Sequence, residues 1–469
     1  MGYWLERISG DRLHEYEEVI GYHLEQAHRY RTELGLLDAA RASLAEGAAG
    51  RLTSAGRRAL DTSGSAAAAK LLYRALALRG EPSPGRAETL IALGEALAAA
   101  GRLPETRAPI DEALSWARAA GETTIEAVVQ VAATEVHRQS DPVGRPLDED
   151  AAVGRAAAVL ASAGLHREAA KAYRLIVYMH VDRGRNDDAL RAVDQAIEEA
   201  RLSQDRHIVA QLLATRAQLW TFWGSLPAAA VIAAIEPLLP EVEVSGLAGS
   251  LMFYNLAELY GLTGRFEEAR AAAAQSRAVA LDLGLFLEAA STSHASGPME
   301  RMAGNVELAE ATLRADYETL KEAGEQRMRS TTAGFLAHVL CDRGALDEAL
   351  TLAQEAERIS AENDYISQAL WRSARARALA RRDPQRALAS AAEAVSRVAT
   401  AHDPVRHGDA LVSMAEVYEA GARWDEALRA VQDAMTLFRA KGATAYVKRA
   451  EERRRRLVAQ AVSAAAEPD

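Results

Sequence analysis

The chain has 469 residues, 49% of them apolar, 26% charged and 5% aromatic, with only 13 prolines; that is the composition of a core-forming helical protein, not of a disordered one. Fifty-five basic residues against 66 acidic ones leave a formal charge of −11, so no overall basic field exists to attract nucleic acid. A single cysteine, Cys341, excludes an intramolecular disulfide framework and a multi-cysteine zinc site and fits a reducing cytoplasm.

The first residues, Met1 to Ile8, carry charge where an export signal needs an apolar core of about 7–15 residues. Leu13, Tyr16, Ile20, Leu24, Ala27 and Tyr30 return to one face and predict a helix over 13–34, with Gly35 as its cap. A second helix is expected over 38–60, ended by the turn-forming run Asp61-Thr62-Ser63-Gly64-Ser65, and a third over 66–78. Residues 1–80 are thus read as a helical junction with capping helices. Gly80-Glu81-Pro82-Ser83-Pro84-Gly85 is a loop, since neither its prolines nor its glycines sustain a helix.

After that loop a repeat becomes legible. Leu90, Leu93, Gly94 and Leu97 line one helix, Gly101-Arg102-Leu103 turns, and Ile110, Ala113 and Leu114 line the returning helix up to Gly121. Residues 81–163 hold such pairs, with a longer turn at 139–150 marked by Pro142 and Pro146. Over 164–442 the units are regular. Turns fall at Gly184, Gly224, Gly264, Gly304 and Gly344, then without glycine at Arg382 and Ala422, about 40 residues apart. The ends of the second helices fall at Gly164, Asp205, Gly246, Gly284, Gly324, Asn363, Asp403 and Gly442 with the same period. A fixed period of that size signals stacked units, and the predicted fold is all-α: a right-handed α-solenoid of antiparallel helix pairs. Residues 443–469 form a last helix and a fraying tail. The longest apolar run, Ala228 to Ile235, is far short of the roughly 20 residues that cross a bilayer, so no membrane contact is expected.

Small residues sit where paired helices must cross. Leu256, Ala257 and Tyr260 precede the Gly264 turn, with Phe266 and Ala269 after it; Met414, Ala415, Tyr418, Trp424 and Ala427 occupy the corresponding places near the C-terminus. This pattern resembles the tetratricopeptide repeat. The Gly304 unit departs from it, with Gly297 in place but Glu300 where an apolar residue is expected. Units of about 40 residues resemble the sensor arms of bacterial signal-transduction ATPases. Trp4-Leu5-Glu6-Arg7 and the run Glu15 to Ala27 resemble the junction that follows the ATPase module in bacterial proteins joining a class III adenylate or guanylate cyclase, an AAA-type ATPase and a tetratricopeptide tail. That resemblance implies a C-terminal regulatory arm. No phosphate-cradling Gly-x-x-x-x-Gly-Lys-Ser/Thr loop occurs, so no catalytic residue is carried over.

Nothing in the chain points to catalysis, a cofactor or a metal. His23 and His28 are five apart, off the four-residue spacing of helical zinc pairs; His402 and His407 flank a loop; Cys341 reads as a small packing residue. The expected functional surface is the concave one, lined by the first helix of each pair. In the repeat register it comprises Lys171, Arg174, Tyr178, Gln218, Tyr254, Glu258, His294, His338 and Arg372, a mixture suited to an extended peptide or a partner helix. The plain alternative is that these are merely the solvated side of amphipathic helices. Trp220 falls at a packing position, whereas Phe222 and Trp223 beside Gly224 offer an aromatic contact patch. The basic run Arg453 to Arg456 is read as a solvated helix end, not as a nucleic-acid site. The reading that results is a non-catalytic scaffold or sensor arm contacting a protein or peptide in bacterial signal transduction or transcriptional regulation. Two alternatives are a regulator gated by a small molecule or peptide in the groove, and the regulatory tail of a cyclase and ATPase.

Overall fold

A computed structural model describes residues 13–36, 38–61, 64–100, 102–140, 149–182 and 185–466. Trp4 to Arg7, Thr62, Ser63, the turn residues Gly101 and Gly184, and residues 141–148 of the longer turn lie outside the described residues. Among the described residues every regular element is a helix. The chain forms two compact units, Met1–Met179 with Glu198–Ser203, and His180–Ile197 with Gln204–Asp469.

The first unit runs through α1 (Leu13–Glu33), α2 (Ala39–Asp61), α3 (Ser65–Leu78), α4 (Pro84–Ala99), α5 (Leu103–Ala120), α6 (Thr123–Ser140), α7 (Glu149–Ser162) and the body of α8 (His166–Asp182), and takes in the end of α9 (Asn186–Leu202). Ser83 caps α4 by accepting from the Arg86 N–H at 3.2 Å, with Pro84 in the first turn where its missing donor costs nothing. Leu90, Ile91, Ile110, Ala113 and Val129 share one core. Gly94 sits where α4 and α5 cross: a Cβ there would lie 2.6 Å from Ile110 Cδ1.

The second unit takes in most of α9 and continues with α10 (Arg206–Phe222). Its return helix is broken into α11 (Ala228–Ile235) and α12 (Leu239–Val242) because Pro237 and Pro240 lack the N–H that continuation needs. Beyond them come α13 (Gly246–Thr263), α14 (Phe266–Asp282), α15 (Phe286–Ser291), α16 (Ser293–Ala303), α17 (Val306–Glu322), α18 (Arg327–Asp342), α19 (Leu346–Ile359), α20 (Tyr365–Leu379), α21 (Pro384–Ala399), α22 (Pro404–Ala420), α23 (Trp424–Lys441) and α24 (Thr444–Ala466). Consecutive helices pack as antiparallel pairs around alanine-rich crossings; Ala257 and Ala269 are 2% and 0% exposed.

The punctuation explains the period. Gly264, Gly304 and Gly344 have φ of 79°, 90° and 77°, and Gly284, Gly324 and Gly442 of 72°, 71° and 70°, the left-handed conformation that lets a helix end and the chain reverse. Several expected positions work differently. Asp205 and Asp403 start the next helix: each carboxylate accepts two N–H groups of the following turn, while the left-handed residue is the one before, Gln204 or His402. Gly246 opens α13, and at Gly224 the helix ends on Trp223 without a left-handed residue. At the last turn the register keeps its left-handed position on Ala422, φ 55°, although Gly421 stands beside it.

Glu300 is also accounted for. It is 4% exposed, and Arg270 bonds both its oxygens at 2.6 and 2.8 Å while Asn305 donates at 2.7 Å. An apolar residue is dispensable there because a cation from the neighbouring helix arrives with matching geometry.

Candidate functional site

Concave regions occur in both units, including a second-unit cleft of about 680 Å³ lined by Trp223, His402, Asp403 and His407, but the inner faces of the two units differ. In the first unit a groove of about 680 Å³ runs between α2, α4, α6 and α8. Its apolar floor includes Ile91, Ile125 and Val128, its rim the exposed Glu88 and Leu165. Lys171 stands in it, its Nζ 3.2 Å from Glu95 and 3.4 Å from Glu168. Burial by itself would raise the Glu95 carboxyl, yet Lys171, with Arg57 and Arg167 behind it, holds it below the usual carboxylate range. Burial likewise works against the Lys171 ammonium, but Glu95 and Glu168 raise it above its ordinary value. The groove thus carries fixed charges of both signs at neutral pH. His166 also lines the groove, with Nδ1 2.8 Å from Glu199. Arg174 and Tyr178 lie further along α8, partly buried.

In the second unit the predicted groove is filled by the chain itself. Pairs early and late in the unit meet: Arg406 of α22 donates to Glu258 of α13 at 2.9 Å, both side chains under a tenth exposed. Glu258, expected to be free, is therefore consumed in a buried ion pair; burial, with Asp403 and Asp409 nearby, pushes its carboxyl up to about 7 in spite of Arg406. Neighbouring Tyr254 is raised out of its ordinary range by the same burial. His338 and Arg372 are buried as well. The His338 Nε2 lies 3.2 Å from the Leu370 carbonyl, and Arg372 donates to Glu393 at 3.0 Å while stacking on Trp371. His294 contacts Thr332 at 2.8 Å, and burial lowers its imidazole to about 4. Gln218 is partly buried on α10.

The aromatic patch is part of the same closure. Trp223 donates from Nε1 to the Tyr365 hydroxyl at 3.1 Å, and its ring packs against Phe222. Trp220 is half-buried with Arg216 stacked 4.7 Å above it. Its carbonyl and that of Gly224 accept from Lys441 Nζ at 2.6 and 3.1 Å. Nor is Arg453 solvated as its sequence suggests: it bonds Glu416 at 2.7 Å and Glu419 at 2.8 Å. At the centre, Asp342 is held by Arg301 at 2.6 Å, Arg377 at 2.5 Å and Arg449 at 3.2 Å.

Sequence reasoning missed the pairing of Glu258 with Arg406 and the Asp342 cluster because the partners stand up to 148 residues apart. The one available signal was the presence of arginines and acids at helix positions that face inward. Cys341 lies half-buried with Sγ 3.6 Å from the Ala374 carbonyl, and burial pushes its thiol up to about 11, the opposite of an activated nucleophile. Among the described residues no three His, Cys, Asp or Glu side chains gather as a metal site, and no helix is long and apolar enough to cross a membrane.

No family model matches the chain and no curated protein does. Among solved structures it is similar to a Rap protein complexed with competence and sporulation factor, at 13% identity and a TM-score of 0.57, covering 76% of this chain and 99% of that one. It also matches the APC/C hetero-tetramer Cut9–Hcn1 at 14% identity and a TM-score of 0.40 over 96% of this chain and 97% of that one. A third match is a signal-transduction ATPase with a tetratricopeptide sensor from Pyrococcus horikoshii, at 12% identity and a TM-score of 0.39 over 70% and 56%. With the helix pairs and their turns, the Rap likeness shows the fold: the chain is an α-solenoid of tetratricopeptide-like repeats.

Proposed function

We propose that the protein is a non-catalytic binding scaffold whose recognition surface is the groove of the first unit, and that its partner is a peptide segment of another protein. The observation that carries this reading is the open groove of about 680 Å³ between α2, α4, α6 and α8, within the 300–1,000 Å³ range of ligand sites. Apolar floor and alternating fixed charges, Arg57, Glu88, Glu95 and Lys171, suit a chain that presents apolar side chains between charged ones. The Rap structure, which is complexed with competence and sporulation factor, supports a binding role by analogy of fold alone. The resemblance of the repeat length to bacterial sensor arms supports a place in signal transduction.

The test is a random peptide-display selection against the full chain, followed by affinity measurement on the groove variant Leu165→Asp/Glu88→Lys, whose two sites are exposed enough to leave the core intact. Selected peptides should lose at least about tenfold in affinity, the effect of one lost apolar contact and one reversed charge. Equal affinity for variant and parent would place recognition elsewhere. A metabolite that raises the melting temperature and loses its effect in the variant would instead favour the small-molecule reading.

A further inference from the structure

The last helix is seated as a ligand would be. Tyr446, Ala450 and Leu457 of α24 are 5%, 3% and 0% exposed, and with Arg449 and Arg453 they recur at the three- and four-residue spacings of one helix face. The aromatic ring packs 5.2 Å from Phe438. Arg449 reaches across to helices early in the unit, donating to the Arg301 carbonyl at 3.0 Å and to Asp342 at 3.2 Å; Arg453 engages Glu416 and Glu419. Thr444 adds a bond to the Thr263 carbonyl at 3.0 Å. Without α24, Asp342, Glu416 and Glu419 would lose Arg449 and Arg453, leaving Arg301 and Arg377 on Asp342 and Arg377 on Glu416.

Three features make the seat releasable. Asp342 is shared by three guanidinium groups, so the third contributes least and Arg301 repels it. The Arg449 side chain stays 43% exposed, and its pKa falls through burial and that repulsion. The connection to α23 turns on left-handed Gly442, and its neighbour Lys441 is buried against two carbonyls and, among the described residues, bonds no carboxylate, its ammonium lowered to about 8 by burial in spite of Asp403 nearby.

We propose that the concave face of the second unit is a regulated receptor for an arginine-bearing amphipathic helix of a partner protein, and that α24 is its built-in competitor. The incoming helix carries an aromatic residue followed by arginines three and seven positions on, the spacing of Tyr446, Arg449 and Arg453, and α24 leaves the acidic face when it binds. A tethered occupant masks such a site by lowering the fraction of chains able to bind.

The probe is a fluorescent synthetic peptide of residues 444–466, titrated into the full chain and into full-length Arg449→Glu/Arg453→Glu, which unseats α24. The peptide should bind the variant at least about tenfold more tightly than the parent, and a peptide with both arginines replaced by Gln should bind neither. Equal binding, or none to a variant whose circular dichroism shows it folded, overturns the proposal. Should the variant not fold, hydrogen exchange on the parent decides: α24 amides should open sub-globally, well before those of α23, and exchange only with global unfolding overturns it. Titration into Leu165→Asp/Glu88→Lys separates the two sites, since this peptide should be indifferent to the first-unit groove.

Discussion

Replacing Arg406 with Met tests the closure of the second unit. The guanidinium is 6% exposed, bonds Glu258 through one nitrogen at 2.9 Å, and leaves Nε and Nη1 without a hydrogen-bond partner; it also lies 5.0 Å from the Phe335 ring. Removing one member of a buried pair costs about 3–5 kcal/mol because the other is stranded. The stranded group here is Glu258, whose carboxyl already sits at about 7 with Arg406 present. Losing the cation raises it further, and a folded-state pKa above the unfolded value of 4.5 means that the unfolded chain releases its proton first. Parent and variant lose stability alike through this group between about pH 4.5 and 7, and the extra penalty of the variant grows as pH rises above about 7, where Glu258 ionises in the parent but stays protonated in the variant. Urea unfolding at pH 5 and pH 8 should show the larger loss at pH 8. The double variant Arg406→Met/Glu258→Met should recover most of it, with a coupling energy of about 2 kcal/mol or more, because two apolar side chains of similar length replace a pair whose desolvation offset much of its attraction. A single-variant loss below about 1 kcal/mol, with no recovery in the double, would refute the closure of α13 on α22.

Three further outcomes are expected from the same geometry. Gly408→Ala should destabilise by about 1–3 kcal/mol, since its Cβ would lie 2.3–2.9 Å from the Phe438 ring, itself 1% exposed; Gly154→Ala, with nothing within 4 Å, should stabilise by about 0.5–1 kcal/mol, and chemical denaturation giving both the same sign would refute the contrast. Ala422→Gly should raise stability by about 1 kcal/mol by relieving the left-handed alanine at φ 55°, read as a shift in urea midpoint at constant slope. Burial lowers His294 from 6.5 to about 4, so the unfolded chain takes up the proton first as pH falls. Stability should drop between about pH 6.5 and 4 by up to about 3 kcal/mol, and His294→Gln should flatten that profile; parallel melting curves against pH would sink the assignment.

The chain's own order of residues was enough for the helix pairs. Glycines at Gly264, Gly284, Gly304, Gly324 and Gly344 and alanines at Ala257 and Ala269 act within about 40 residues of one another, and a left-handed turn or a close crossing is a local demand that only certain side chains meet. Where the demand has two local solutions the sequence alone does not choose: an aspartate can end one helix or begin the next, and at Asp205 and Asp403 the N–H groups ahead of it make it the cap of the succeeding helix.

Which face remains open was decided by tertiary structure. Tyr254, Glu258, His338 and Arg372 occupy the register positions of a groove, and their polarity reads equally well as solvated, ligand-binding or internally paired. The sum of small rotations between successive pairs brings α22 and α24 onto α13, α16 and α18, and no single repeat encodes that sum. The sequence therefore determined a solenoid of tetratricopeptide-like pairs. Only the fold decided that in the second unit the inward-facing residues meet Arg406, Arg449 and Arg453, because a charge finds its partner by distance in space and not along the chain.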